Sequence, residues 1–455
     1  MNIVILGAGE MGKQLAWTLS TKRNSVAVVD SQADLLTRLQ DHLDVMTVQG
    51  DCADFGVLKR AGIEQAELLI AASGSDSSNV LACQIARHFG VKKTICRLSS
   101  QGFFSAEDGF SSELLGIDHT ILPEEECIGR ILRVLRHQCL VERVDFSVRD
   151  AQMCCVRVAP GSMLDGVKLA DFPDRELVSS IRFSAILRAQ HLLMPRGDTV
   201  LMPGDEVYVA GTRASVEALF DLADGERRRP SLILVAGATR IARGLVPRLV
   251  AEGYQVRVIE ESQREGEQFL DDFGEGVMVV QGSPTDAHVL EEAGVSECGA
   301  FISVQQDDEN NILGCILAKK QGARKVITVT NKAEYMEIVP ALKPIDCGFS
   351  PRLIGVNLVL NLLGSETAHI HAMLHRTRAY VYEFRVMAGS RVCGQRIAAH
   401  PAAFPATFAL VLRGDQVLPA AGDVVLLDGD RVAVIATPEH EQQLAKVFRK
   451  PGLLS

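Results

Sequence analysis

The sequence contains no uninterrupted apolar run approaching the roughly 18 residues that a membrane-crossing helix needs. Its opening, MNIVILGAG, lacks a charged leader and a cleavage site, so the expectation is a chain that is neither integral nor secreted. Positive charge is short as well. Lys and Arg number 47 against 57 Asp and Glu, and the net charge of −10 leaves no global basic footprint for nucleic acid or anionic headgroups. The 11 cysteines form no CxxC pair and no Cys/His spacing of a zinc site. Reduced thiols in a cytoplasmic setting follow, and the adjacent Cys154 and Cys155 read as buried strand residues rather than reactive ones. HExxH and GxSxG are missing too, so no catalytic constellation presents itself.

What is present is a repeat. At 455 residues, with 47 % hydrophobic and 23 % charged residues, the chain has the balance of a folded protein with about three or four domains. NIVILGAGEMGKQLAWTLSTKRNSVAVVD, near the start, resembles SLILVAGATRIARGLVPRLVAEGYQVRVIE from Ser231 on, with Gly7 and Gly237 as well as Asp30 and Glu260 related by an offset of 230. Beyond a two-residue insertion Gly62 aligns with Gly294, Asn79 with Asn311 and Gly90 with Gly322, each at 232. Further on, RGDTVLMPGDEVYVAGT pairs with AGDVVLLDGDRVAVIAT, and APGSMLDGVKLADFP with MAGSRVCGQRIAAHP. The order is therefore A, B, A, B, with A units at 1–124 and 231–348 and B units at 143–228 and 369–453.

Short Val/Ile/Leu runs alternating with amphipathic stretches in each A unit predict a parallel sheet with crossover helices. The fold class is α/β: two Rossmann-like doubly wound domains, each followed by a small α+β module whose strands break at Gly204-Asp205 and Gly429-Asp430. Amphipathic helices are expected between A and B, from Cys127 to Val144 and from Arg352 to Gly364, near Pro123 and Pro351. Their Ile/Leu/Val stripes face either a neighbouring unit or their own core. The linker GERRRP, Gly225 to Pro230, reads as a solvated hinge.

The first A unit carries a nucleotide-site pattern. Gly7, Gly9 and Gly12 form GxGxxG directly after strand Ile3 to Leu6, and Asp30 ends the next strand 18 residues past Gly12. Gly7 permits the tight turn, Gly9 admits a pyrophosphate to the backbone, and Gly12 lets the helix pack on the sheet. The helix N-terminus then offers free N–H groups to phosphate. Asp30 is placed to accept from adenosine ribose hydroxyls, and an acid with no arginine after it favours NAD or an adenine nucleotide over NADP. Gln14 stands where a Walker A loop needs Ser or Thr, which disfavours P-loop hydrolysis and puts Lys13 on the helix surface. Asp51 and Cys52 are candidates to line the adenine, Ser73 and Gly74 a ribose, and Arg97 a phosphate. For Cys52 and Ser73 the alternative, that they are simply polar strand ends, stays open. In the second copy the loop is GATRIA, with Gly237 kept, Thr239 obstructing pyrophosphate approach, Ala242 tolerated, and Glu260 preserving the acid. Arg240 and Arg243 are candidates for a phosphate in another pose, so the second site is expected to be weakened, altered or empty. His371 and His375, in HIHAMLH, are spaced to share a helix face but are too few for a structural metal site.

Through GAGEMG with Asp30, QGDCAD, AASGSDSSN and PRGDTVLMPGDEVYV, the A and B units resemble the two halves of RCK (KTN) domains. Two tandem copies over essentially the whole chain resemble the TrkA family, regulatory subunits of Trk potassium-uptake systems. The resemblance implies a non-enzymatic bacterial protein, cytoplasmic and peripheral on the inner face of the inner membrane. It would bind a TrkH-type potassium channel subunit, assemble as a homo-oligomeric RCK ring, and be shifted in conformation by NAD(H) and by ATP or ADP. It puts nucleotide contacts on Gly7, Ala8, Gly9, Glu10, Met11, Asp30, Ser73, Gly74 and Arg97. An RCK regulator of another cation system is the nearest alternative. A nicotinamide-dependent oxidoreductase is disfavoured, because no catalytic domain follows the first A unit.

Overall fold

The run NIVIL forms β1 (Asn2–Leu6), buried along its length after Asn2. The chain then turns into α1 (Glu10–Ser20) and returns as β2 (Ser25–Asp30). The alternation continues through α2 (Ala33–Gln40), β3 (Met46–Gln49), α3 (Phe55–Arg60), β4 (Leu68–Ala71), α4 (Asp76–His88), β5 (Lys93–Arg97), β6 (His119–Ile121) and α5 (Pro123–Arg136). The six strands pair in parallel in the order β3-β2-β1-β4-β5-β6. That order reverses direction between β1 and β4, the crevice where doubly wound sheets bind ligands.

After this domain come β7 (Leu140–Asp145), β8 (Ala151–Arg157), α6 (Arg175–Ser180), β9 (Ile181–Arg188), β10 (His191–Leu193), β11 (Glu206–Thr212) and α7 (Arg213–Asp224). The second doubly wound domain runs β12 (Leu232–Ala236), α8 (Arg240–Ala251), β13 (Gln255–Glu260), α9 (Gln263–Phe273), β14 (Val277–Gln281), α10 (Ala287–Glu292), β15 (Ala300–Ser303), α11 (Asp308–Lys320), β16 (Lys325–Val329), α12 (Ala333–Ile338), β17 (Cys347–Phe349) and α13 (Pro351–Leu363). Its order, β14-β13-β12-β15-β16-β17, repeats the first. The chain ends with β18 (Ala368–Met373), β19 (Tyr380–Arg385), β20 (Ala406–Arg413), β21 (Gln416–Pro419), β22 (Arg431–Ala436) and α14 (Glu441–Phe448). The B sheets, β10-β9-β11-β8-β7 and β18-β19-β22-β20-β21, share one antiparallel topology read in opposite directions.

This computed structural model describes residues 1–20, 24–100, 102, 111–146, 150–189, 191–224, 231–339, 342, 344–363, 368–374, 379–399 and 406–450. The linker 225–230 and His375 lie outside them. The chain sorts into two units: 1–129 with 232–339 and 348–359, and 130–231 with 340–347 and 360–455. Like halves of the two copies are thus grouped together, and the chain passes between units inside α5 and α13.

In the first unit each copy's connecting helix lies on the other copy. A β-carbon placed on Gly244 of α8 would stand 2.6 Å from Ile128 Cδ1 of α5. One placed on Gly355 of α13 would stand 2.8 Å from Met11 Sδ and 2.9 Å from Pro123 Cγ. Arg248 of α8 donates to Glu125 of α5 at 2.5 Å. The apolar stripes therefore cross between copies, one of the two readings the sequence allowed. In the second unit a single core cluster joins both B modules, with Met153, Cys155 and Tyr208 of the first and Val381, Leu410 and Ile435 of the second.

Two expectations need correcting. The first connecting helix ends at Arg136, not Val144, and Leu140–Asp145 is a strand paired antiparallel with β8. Apolar residues at 131, 134, 141 and 144 fit a helix spacing, but Asp224 turns the chain by accepting from the backbone N–H groups of Gln138 (3.1 Å) and Cys139 (2.7 Å). Leu140–Asp145, with Val141 and Val144, then gains a pairing edge on β8. Similarly, His371 belongs to β18 and not to a helix, because its segment pairs with β19. Among the described residues no group of three or more His, Cys, Asp or Glu is placed to hold a metal.

Candidate nucleotide site

The turn after β1 is built by glycine geometry. Gly7 has φ +97°, and a β-carbon there would meet the Ala72 carbonyl oxygen and Ser73 Cα at 2.9 Å. At Gly12 it would lie 1.8 Å from the Gly7 carbonyl oxygen, so helix and strand approach as only glycine allows. A β-carbon on Gly9, by contrast, meets nothing within 4 Å. The space above the middle glycine is open, which is the requirement for a pyrophosphate to reach the backbone.

Asp30 closes the turn from the end of β2. Its Oδ2 accepts from Ala8 N–H at 2.6 Å and its Oδ1 from Gln32 N–H at 2.8 Å. Each oxygen keeps a second lone pair for a hydroxyl donor. Glu10 opens α1 beside the loop, while Met11 is buried and packs toward Gly355. Lys13 lies on the exposed surface, 3.5 Å from Glu334.

At the end of β3, Asp51 is exposed and accepts from Ala53 N–H at 2.8 Å. Cys52 is buried, its Sγ 3.6 Å from the Val29 carbonyl oxygen. Burial, reinforced by the Asp30 charge, pushes its thiol up to about 11. Ser73 Oγ donates to Asn79 Oδ1 at 2.7 Å, and Gly74 is exposed with open space where a side chain would stand. Arg97 is 8 % exposed. Its guanidinium donates to the Ser73 carbonyl at 3.2 Å and to Glu124 Oε1 at 2.5 Å, so it is held by the first turn of α5 instead of standing free above the loop.

The organising residue missed by sequence reasoning is Asn79. Fully buried, it donates to the carbonyls of Ser73 (3.2 Å) and Arg97 (3.0 Å) and accepts from Ser73 N–H (3.0 Å), tying the ends of β4 and β5 together. Asn311 repeats this with Gln305 and Val329. The sequence carries its signal in the alignment of Asn79 with Asn311 at the offset of 232.

The second site keeps the frame and fills the opening. Gly237 has φ +100°, and Glu260 accepts from Ala238 N–H at 2.7 Å and Ser262 N–H at 2.9 Å. Thr239 replaces the open glycine, and its hydroxyl donates to the Val304 carbonyl at 2.7 Å. Arg243 turns away to Asp272 and Glu265, and Arg240 is exposed.

Residues 3–123 and 233–346 match the TrkA-N domain family, and 156–224 and 381–449 the TrkA-C domain family. The Trk system potassium uptake protein TrkA of Halomonas elongata is 32 % identical over 438 residues, 95 % of each chain. That of Vibrio alginolyticus is 28 % identical, again over 95 % of each. Among solved structures, the GsuK RCK domain superposes with TM-score 0.63 at 20 % identity over 98 % of this chain and 94 % of that one. The GsuK channel bound to NAD gives 0.62 at 20 %, over 98 % and 78 %. GsuK bound to ADP gives 0.50 at 16 %, over 80 % and 69 %. With both domain families matched twice in tandem and a relative 32 % identical over 95 % of each chain, the chain belongs to the TrkA family of Trk-system potassium uptake proteins.

Proposed function

We propose that this chain is the nucleotide-responsive regulatory subunit of a potassium uptake system, acting on the cytoplasmic face of a TrkH-type channel, and not an enzyme. The observation that carries the reading is the first glycine loop: backbone N–H groups at the start of α1, open space over Gly9, and Asp30 fixed at the switch point of the sheet. These residues fit an adenosine diphosphate moiety, common to NAD(H), ATP and ADP. Gly7, Ala8 and Gly9 would face the pyrophosphate, Asp30 the ribose, and Gly74 with Asp51 the rim. The GsuK structures with NAD and ADP, of the same fold, support this choice of ligands. Thr239 leaves the second site the weaker one.

A ligand moves a conformational equilibrium only by the difference of its affinities for the two states. Arg97, at the end of β5 beside Ser73, grips Glu124 in the first turn of α5, and the chain leaves the first unit within that helix. Nucleotides that share the Asp30 anchor but differ beyond the pyrophosphate would bias this connection unequally, and assembly of RCK units in a ring would pass the bias to the channel.

Titration calorimetry of the full chain with NADH, NADPH and ATP, beside Asp30→Ala and Glu260→Ala, tests the site. NADH and ATP should bind, NADPH more weakly, and Asp30→Ala should weaken both by at least about tenfold while Glu260→Ala leaves the main event intact. Potassium flux through vesicles holding a TrkH-type channel, with and without the chain and each nucleotide, tests gating. Flux indifferent to both would refute the regulatory reading.

A further inference from the structure

The cation expected at the phosphates, Arg97, is already committed. The repeat points to another. Arg97 aligns with Val329 at the offset of 232, and Glu124, following Pro123, aligns with Arg352, following Pro351. The ion pair of the first copy is thereby replaced in the second by an arginine without its acid. Arg352 is half-buried, and among the described residues it has no hydrogen-bond or ion-pair partner.

The packing of α13 decides where this arginine goes. Gly355, one turn further along the helix and on the same face, sits against Met11 and Pro123 of the first copy. Arg352 is therefore carried to the start of α1, beside the first glycine loop. Burial, together with the charge of Arg97, holds its guanidinium below the ordinary arginine value, while Glu124, Glu10 and Asp308 act in the opposite sense. Of these acids, Glu124 is taken by Arg97, and Asp308 accepts from the backbone of Asn331 and Lys332. Glu10 alone stands at the loop, where its charge opposes a phosphate unless a cation offsets it.

We propose that Arg352, lent by the second copy, binds the terminal phosphate of a nucleoside di- or triphosphate held in the first copy's glycine loop. The second domain would then act as a built-in partner that reads the ligand's phosphate end, a planar fork suited to a terminal phosphate more than to the interior phosphates of a dinucleotide. This rests on the nucleotide reading above.

The test is calorimetric titration of AMP, ADP, ATP and NADH into the full-length wild type, Arg352→Gln and Arg352→Lys, with thermal unfolding of each. Arg352→Gln should weaken ADP and ATP by roughly tenfold or more, leave AMP and NADH within about threefold, and leave the melting temperature nearly unchanged. Arg352→Lys should fall between. ADP binding equal to wild type, or AMP weakened as much as ADP, overturns the role of Arg352 and leaves the nucleotide site standing. A wild type that binds none of the four overturns both.

Discussion

Gly9 and Thr239 hold the same place in two loops that are otherwise alike, and their difference can be exchanged. Both loops keep the left-handed first glycine and a carboxylate hydrogen-bonded to the following N–H. Only the first leaves the centre open. Because a β-carbon at Gly9 meets nothing within 4 Å, Gly9→Thr should fold normally, its stability within about 0.5 kcal/mol of wild type. Its β-branched side chain would stand where a pyrophosphate approaches, and nucleotide affinity should drop by at least about tenfold. Chemical denaturation and titration of the same preparation separate these effects. Unchanged affinity would mean that the ligand does not approach the loop over its middle glycine.

Between residue and domain the informative element is the turn that ends α5 and begins β7. Asp224, at the end of α7, holds it through the N–H groups of Gln138 and Cys139, with His137 Nδ1 3.5 Å away. Burial alone would raise this carboxyl, but the His137 side chain and the Cys139 backbone outweigh it and hold it below 3.8. A depressed folded value means that the native state binds fewer protons. Stability from this group is therefore fully present above the unfolded value near 3.8 and is lost as pH falls through the folded one. Asp224→Asn should cost roughly 1–3 kcal/mol at pH 7, and the gap from wild type should narrow as pH falls below 4. Urea melts at pH 7 and between pH 4 and 3 would show it, and a gap that widens on acidification would contradict the assignment. The same turn marks where sequence reading reached its limit. Glycine loop, acid and strand alternation were legible because each works within a few residues of itself. Val141 and Val144 were not, since residues three apart share a helix face and fall on opposite faces of a strand, so their spacing reads as helix, and the decision lies with Asp224, about 80 residues further on. Arg97 was assigned by type and position, with nothing local to reveal that Glu124 holds it.

At the scale of the molecule the copies are not two beads in line. Their doubly wound domains share one unit and their B modules the other, a regrouping that no local pattern encodes because it depends on which apolar stripe finds which partner. Gly355 is where the exchange is tightest. On a free helix, replacing glycine by alanine gains close to 1 kcal/mol. Here the added carbon would lie 2.8 Å from Met11 Sδ and 2.9 Å from Pro123 Cγ. The thioether can move aside, whereas the proline ring at the head of α5 cannot without shifting the helix. Gly355→Ala should therefore destabilise the full chain by roughly 1–3 kcal/mol and, because Met11 adjoins Gly12 in the loop, weaken nucleotide binding from a position that touches no ligand. Guanidinium unfolding together with ADP titration measures both. A variant stabilised by about 1 kcal/mol, as on an unpacked helix, would show that α13 does not rest on the first copy, and with it would go the route by which the second domain reaches the first site.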